Sequence, residues 1–135
     1  MKQTLKLFVF FFFILATLIS CSKGGSDKPE VQEAALAVKL DPEPTGGLNQ
    51  SMGTEYKFNV VIQSEMPAQG VAIKVDYVKD SGGSVFSQIL TTSNATSPIT
   101  ITQIPFNEVG TVTVSVASVS KPTNNVVKTF KLVRK

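Results

Sequence analysis

The chain has 135 residues, with 13 Lys and Arg side chains against 10 Asp and Glu, and it contains no His, no Trp and one Cys. This length predicts one domain of ordinary size and argues against a multidomain enzyme. The lack of His and of a second Cys excludes His-based acid–base catalysis, Cys–His catalysis, thiolate zinc clusters and an intrachain disulfide.

The first segment of the chain predicts a cleaved export signal. Lys2 and Lys6 form a basic start, and Leu7–Ile19 then runs for 13 residues without a charge. A bilayer-spanning helix needs about 20 apolar residues, so this shorter run is typical of a secretory signal peptide. Its removal leaves 11 cationic against 10 anionic side chains. A net charge this small does not support nucleic-acid binding.

The apolar run ends in a branched apolar residue, a tolerant position, a small residue and a cysteine: Leu18, Ile19, Ser20 and Cys21. This segment resembles the lipobox of bacterial lipoproteins. The resemblance implies that residues 1–20 are a lipoprotein signal peptide and that Cys21 becomes the first residue, carrying acyl chains such as palmitate. The membrane would then be a partner through these chains, because each buried methylene contributes about 0.8 kcal/mol. The alternative is that Cys21 is an ordinary small apolar residue after a signal peptide.

Residues 21–33 predict a flexible tether, because Ser22–Glu30 is polar and rich in Gly and Ser. A flexible chain of about twelve residues reaches roughly 20 Å, enough to lift a domain clear of the lipid headgroups. Ser22 after the cysteine resembles lipoproteins that enterobacteria export to the outer membrane. The predicted location is therefore the bacterial cell envelope, at the outer membrane, with the periplasmic and the surface face both open.

Residues 34–135 predict one all-β domain, because apolar residues recur at every second position between turn-forming stretches. Seven strands are predicted, at 34–40, 56–62, 71–77, 85–91, 99–101, 112–116 and 126–134. Ile104 falls out of phase with Ile99 and Ile101, which indicates a bulge or a strand end near Gln103. Seven short β-rich segments without helical periodicity favour an antiparallel sandwich.

A longer pattern extends over two of these strands and the end of the chain. It reads Gly53-x-x-Tyr56-x-Phe58-x-Val60-x-Ile62-x-Ser64-x-x-Pro67-x-x-Gly70-Val71-x-Ile73-x-Val75, with Thr129-x-Lys131-Leu132-Val133-Arg134-Lys135 at the end. It looks like the small immunoglobulin-like lipoproteins of Bacteroidetes, which implies a seven-stranded antiparallel immunoglobulin-like β-sandwich. The Cys pair and the Trp of antibody domains are absent, so a fibronectin type III-like or generic subtype is favoured. These positions specify a fold and not a function.

No catalytic, metal-binding or cofactor-binding residues are predicted. Asp76 and Asp80 bracket a strand end and could offer oxygen ligands to Ca²⁺, but their spacing matches no complete ligand set. An outward Asp and a turn-starting Asp explain both residues. The segment Asp80–Ser84 lacks the Lys and the following helix of a phosphate-binding loop, so it predicts a hairpin tip.

Phe106 is the candidate for ligand contact. Alternation assigns four other aromatic residues of the domain to the core: Tyr56, Phe58, Tyr77 and Phe130. Phe106 instead lies in a predicted loop between Pro105 and Asn107. An exposed aromatic residue there would mark a carbohydrate or peptide surface; the alternative is a loop residue that caps the end of the sandwich.

These features predict a lipid-anchored cell-envelope protein without catalytic activity, whose domain binds a protein or glycan or acts as a scaffold. Three alternatives remain: an accessory subunit of an envelope complex, a passive spacer lipoprotein, and an enzyme that gathers two carboxylates or a Ser–Lys pair in a pocket. Outward lysines are predicted to protect the sheets from edge pairing, or else to form a basic face for an anionic glycan: Lys57, Lys74, Lys128 and Lys131.

Overall fold

The computed structural model describes residues 32–135; the predicted signal peptide, Cys21 and most of the predicted tether lie outside these residues. The described chain forms eight strands, so the prediction of seven is wrong. They are β1 (Val38–Asp41), β2 (Leu48–Ser51), β3 (Tyr56–Ile62), β4 (Val71–Lys79), β5 (Ser84–Thr92), β6 (Thr96–Ile101), β7 (Val109–Ser118) and β8 (Asn125–Arg134). Within this part of the chain no helix is long and apolar enough to cross a membrane.

The strands form two sheets, in the orders β1-β3-β6 and β2-β8-β7-β4-β5. One hydrophobic cluster includes side chains of both sheets, so the sheets pack face to face. The predicted all-β architecture is therefore confirmed. The strand pairs are antiparallel except for β2 and β8, which run parallel with Leu48 opposite Lys131. The expectation of a purely antiparallel sandwich is wrong for this one pair.

The core follows from alternation within the strands. In β4 the side chains of Val71, Ile73, Val75 and Tyr77 are buried while those between them are not. Aromatic rings of the two sheets meet edge to face, with the ring centroids of Phe58 and Phe130 5.8 Å apart. Such pairs add about 0.5–1.5 kcal/mol beyond the burial of their area, so they help to fix the two sheets on each other.

The unpredicted strand β2 has a reversed polarity pattern. Its apolar residue Leu48 is exposed, whereas Asn49 and Ser51 are buried. Asn49 Nδ2 donates a hydrogen bond to the carbonyl oxygen of Lys131 at 3.1 Å, and Ser51 Oγ lies 2.7 Å from the carbonyl oxygen of Glu55. Buried polar side chains that satisfy backbone groups do not produce an alternation of apolar residues. A search for that alternation therefore does not predict β2.

The chain enters the domain along the turn between β7 and β8. The first strand begins at Val38 and not at Ala34, because the Asn124 side chain holds the preceding segment instead. Asn124 Nδ2 donates to the carbonyl oxygen of Ala34 at 3.0 Å, and the Leu36 amide donates to Asn124 Oδ1 at 2.9 Å. Asn124 Nδ2 also donates to Glu33 Oε2 at 3.2 Å. This end of the sandwich, formed by residues 32–37 and 119–124, is named the entry end.

Candidate functional site

The loop between β6 and β7 exposes Phe106. Its side chain is 62% exposed, whereas Ile104 is 1% exposed and closes this end of the core. The backbone turns at Gln103, which has a φ of 59°, and the Ile104 amide then donates to the carbonyl oxygen of Thr54 at 3.1 Å. The predicted strand end near Gln103 is confirmed, since β6 ends at Ile101. The interpretation of Phe106 as the cap of the sandwich is wrong, because Ile104 fills that place.

Arg134 holds the exposed Phe106 ring in place. The backbones of the two residues form a parallel β-bridge, and the Asn107 amide donates to the Arg134 carbonyl oxygen at 2.9 Å. The Arg134 guanidinium carbon lies 5.8 Å from the centroid of the Phe106 ring. A cation–π contact at an exposed site contributes about 0.5–1 kcal/mol. The ring is therefore oriented although most of its surface faces solvent.

A second apolar side chain projects beside this pair. Met52, in the turn after β2, is 87% exposed. Its neighbour Ser51 pairs with Arg134, so the turn lies within two strand spacings, about 10 Å, of the Phe106 loop. Lys135 Nζ donates to Asn107 Oδ1 at 3.3 Å. This group, named the Phe106 tip, comprises Met52, Phe106, Asn107, Arg134 and Lys135.

The Phe106 tip is basic. In residues 32–135 the ion pairs at this end of the sandwich include those of Lys57 with Glu55 at 3.2 Å, Lys79 with Glu108 at 3.3 Å and Lys131 with Asp80 at 2.8 Å. Within the same range neither Arg134 nor Lys135 has an Asp or Glu partner. An oriented aromatic face beside two cations can contact the apolar face of a sugar ring or a side chain while binding an acidic group.

The Phe106 tip and the entry end lie at opposite ends of the sandwich. Just after β3, the Gln63 amide donates to the carbonyl oxygen of Ala37 at 2.8 Å. Just before β3, the Thr54 carbonyl accepts from Ile104. The seven residues of β3 separate these two contacts, and a strand of that length spans about 20 Å.

The two aspartates considered for Ca²⁺ are both engaged by lysines. Lys74 Nζ lies 2.8 Å from Asp76 Oδ2, and Lys131 Nζ lies 2.8 Å from Asp80 Oδ1. The hydrogen bond from Lys74, followed by that from Ser87, lowers the pKa of Asp76, and the hydrogen bond from Lys131 lowers the pKa of Asp80. In residues 32–135 no three acidic, His or Cys side chains converge on a common point.

The outward lysines form no continuous basic face. Lys57, Lys74 and Lys131 are exposed as predicted, and Lys128 is half-buried. The three exposed lysines each lie within ion-pair distance of a carboxylate, at 3.2, 2.8 and 2.8 Å. The nearby carboxylates compensate the charge of these lysines. An anionic ligand is therefore attracted less strongly to them than to the Phe106 tip.

A surface depression of about 300 Å³ lies at the entry end and is lined by two carboxylates, Glu33 and Glu65. This is the arrangement that the enzyme alternative requires. The carboxylate of Glu33 is already hydrogen-bonded by Ser120 and Asn124. The hydrogen bond from Ser120, aided by those from Ser118 and Asn124, lowers the pKa of Glu33. A carboxyl with a lowered pKa stays ionised at neutral pH, so Glu33 is a poor proton donor there.

No family model and no curated protein matches the chain. A function can therefore be inferred only from the Phe106 tip and from the sequence before residue 32. Of the tip residues, the sequence indicates Phe106 but not Met52, Arg134 or Lys135. The signal for Met52 was a large apolar residue directly before Gly53 in a turn; the contact between Arg134 and Phe106 left no local signal.

Proposed function

We propose that the protein is a lipid-anchored cell-envelope protein whose β-sandwich binds a protein or glycan through the Phe106 tip, without catalysing a reaction. The observation that carries this proposal is the oriented, exposed pair of Phe106 and Arg134 at the end opposite the chain entry. Aromatic residues, Met and Arg are enriched at the core of protein interfaces relative to the rest of the surface.

The anchor follows from the sequence before the domain. Lys2 and Lys6, the apolar run Leu7–Ile19 and the segment Leu18–Cys21 have the order of a lipoprotein signal. A chain anchored at Cys21 reaches the sandwich through its entry end. The Phe106 tip lies at the end of the sandwich opposite the one through which the chain enters, and the tether leaves it accessible to a partner.

The finer fold class in this proposal is immunoglobulin-like. In such sandwiches the first, second and fifth strands share one sheet, and the third, sixth and seventh share the other. If β2 is counted as an extra strand, β1, β3 and β6 have the first arrangement and β4, β7 and β8 have the second. In this count β5 is the fourth strand and joins the second sheet, whereas the fourth strand of constant-type domains belongs to the first sheet.

The ligand chemistry that fits the Phe106 tip combines an apolar face with an acidic group. Phe106 and Met52 offer apolar surface, while the Arg134 guanidinium and the Lys135 ammonium can bind a carboxylate or another anionic group. An acidic glycan and a peptide segment with neighbouring acidic and apolar residues both meet this description.

Site-specific photo-crosslinking tests the binding surface. The full chain is expressed in its bacterial host with Phe106→benzoylphenylalanine, which keeps an aromatic ring at the tip. We expect an adduct of discrete mass after irradiation. The control is Gln69→benzoylphenylalanine, an exposed position near the entry end, which should give no such adduct. No adduct at either position, or the same adducts at both, contradicts a binding tip and favours a passive spacer.

The anchor is tested separately with Cys21→Ala in the full chain. We expect loss of metabolic labelling by a palmitate analogue and transfer of the protein from the membrane to the soluble fraction, because the acceptor thiol is missing. Ser22→Ala is the control and should keep both the label and the membrane location. A Cys21→Ala chain that stays lipid-labelled excludes the proposed anchor.

A further inference from the structure

The two sheets have four edge strands: β1 and β6 in one sheet, β2 and β5 in the other. An edge strand presents unpaired backbone N–H and C=O groups to which a further strand can add. Proteins block such edges with short strands, charges or prolines. The four edges of this domain differ in how well they are blocked.

Three of the edges are protected. The strand β1 has four residues with two charges, Lys39 and Asp41, and β2 has only four residues. The strand β6 contains an exposed proline, Pro98, within its six residues. The first half of β8, which has no partner in β2, carries Lys128.

The strand β5 has no such protection. It is nine residues long, Ser84–Thr92, and contains neither a charged residue nor a proline. Among the described residues it pairs with β4 alone. The side chain of Ile89, in the second half of this strand, is 68% exposed. A long, uncharged edge with an exposed β-branched residue favours the addition of another strand.

We propose that two copies of this chain associate by antiparallel pairing of their β5 strands about a two-fold axis at Ile89. Residues that pair in an antiparallel ladder lie on the same face of the sheet, so the axis must lie midway between the two copies of one residue. The register shift near Tyr77 leaves Val85 without a partner in β4 and confines regular pairing to Phe86–Thr92. Ile89 is the middle residue of this regular segment.

The pairing about Ile89 places compatible side chains opposite each other. On the outer face Ile89 meets the same residue of the second copy, and Ser87 meets Thr91. On the inner face Gln88 meets Leu90. Cross-strand pairs of β-branched residues stabilise a sheet, and the contact covers the exposed surface of both isoleucines.

Two further observations favour a second copy over a foreign strand. Because β5 carries no charge, it does not attract a charged partner strand selectively. For the same reason, two copies of β5 can lie side by side without charge repulsion. The nearest cation, Lys74, lies opposite Ile89 in β4 and is paired with Asp76 at 2.8 Å in each copy. Because the other edges are protected, β5 of one copy finds its complement in β5 of the other. The contact therefore closes as a dimer and does not grow into a fibre.

Disulfide trapping of the full chain in membranes tests this dimer. Directly opposed residues of an antiparallel pair have Cβ atoms about 4.5–5.5 Å apart, so Ile89→Cys should yield a disulfide-linked dimer under mild oxidation. The matched control is Leu48→Cys, an exposed apolar residue on the opposite edge of the same sheet. The unchanged chain, which retains Cys21, gives the background.

We expect dimer from Ile89→Cys at least tenfold above that from Leu48→Cys and from the unchanged chain. Equal crosslinking of the two variants indicates random collision and overturns the proposal. An Ile89→Cys adduct with another protein overturns it as well, since a foreign strand would then occupy the edge.

Charge substitution gives a second test that does not depend on oxidation. Ile89→Lys and Ile89→Glu, each alone in the detergent-solubilised full chain, should sediment as monomers, because like charges then face each other at the axis. A mixture of the two variants should recover the dimer, whereas Leu48→Lys should stay dimeric. The proposal fails if Ile89→Lys remains dimeric, or if the unchanged chain is a monomer at every concentration tested.

Discussion

At the scale of single residues, two side chains of the loop before β7 have opposite environments. Ile104 is buried at the end of the core and Phe106 is exposed beside Arg134. Only Pro105 separates the two residues along the chain, yet the Ile104 side chain stabilises the fold and the Phe106 side chain is free to contact a partner. The two roles can be separated by substitution.

We expect Ile104→Ala to lower the free energy of unfolding by about 2–5 kcal/mol, since it removes buried methyl groups and leaves a cavity. We expect Phe106→Ala to lower it by less than about 1 kcal/mol, because the side chain loses little more than the contact with Arg134. Urea unfolding of both variants measures the difference. A Phe106→Ala variant as unstable as Ile104→Ala would show that the ring is part of the core.

At the scale of strands, alternation predicts those whose buried residues are apolar and fails where they are polar. The strands β3, β4 and β7 follow the apolar pattern and were predicted. In β2 the buried residues are Asn49 and Ser51, which donate to the carbonyl oxygens of Lys131 in β8 and of Glu55 in the following turn. The role of Asn49 depends on a residue 82 positions away along the chain, and Ser51 binds the turn that follows it, so neither residue produces the apolar pattern by which a strand is predicted.

The candidate site was predicted only in part for the same reason. The loop position of Phe106 beside Pro105 indicated exposure. Its contact with Arg134 joins residues 28 positions apart through an isolated bridge. Met52 follows β2 directly. Because β2 was not predicted, the place of this turn in the fold could not be predicted either.

Asn124 makes three hydrogen bonds to the segment before β1, and Ser120 makes another to Glu33. We expect Asn124→Ala to release residues 33–36 from the turn between β7 and β8, because three hydrogen bonds are lost, each with a net contribution of about 0.5–1.5 kcal/mol. Amide hydrogen exchange at Leu36, whose N–H donates to Asn124 Oδ1, should accelerate strongly. Asn125→Ala removes only bonds within the turn and serves as the control. Unchanged exchange at Leu36 in Asn124→Ala would contradict this assignment.

At the scale of the whole molecule, the carboxylates determine the response to acid. Hydrogen bonds from Ser120, Lys74 and Lys131 lower the pKa of Glu33, Asp76 and Asp80 respectively. A carboxyl whose pKa is lower in the folded state contributes stability above its unfolded pKa. That stability is lost as the pH falls through the folded value.

We therefore expect the midpoint of thermal unfolding to be nearly constant from pH 7 to about 5 and to fall below about pH 4, where unfolded carboxylates begin to bind protons. Asp80→Asn should be less stable at pH 7 and should show a shallower decline in acid, since it lacks one of these groups. Lys131→Gln should behave similarly, because it removes the cation that lowers the pKa of Asp80. Thermal scans between pH 2 and 7 follow the effect, and a decline as steep as that of the unchanged chain would disprove the role of this pair.

The parallel pairing of β2 with β8 determines how the domain resists mechanical force. A partner at the Phe106 tip and an anchor beyond the entry end would pull along the strands, from opposite ends of the sandwich. Tension from the entry end acts first on β1, whose pairs with β3 lie along the pull, and then on β2, which it draws toward the entry end, while a load at Arg134 draws β8 the other way. The hydrogen bonds between them, from Leu48 opposite Lys131 to Ser51 opposite Arg134, are then sheared together and not unzipped one at a time. We therefore expect the β2–β8 pair to resist a pull along the strands more strongly than a pull across them.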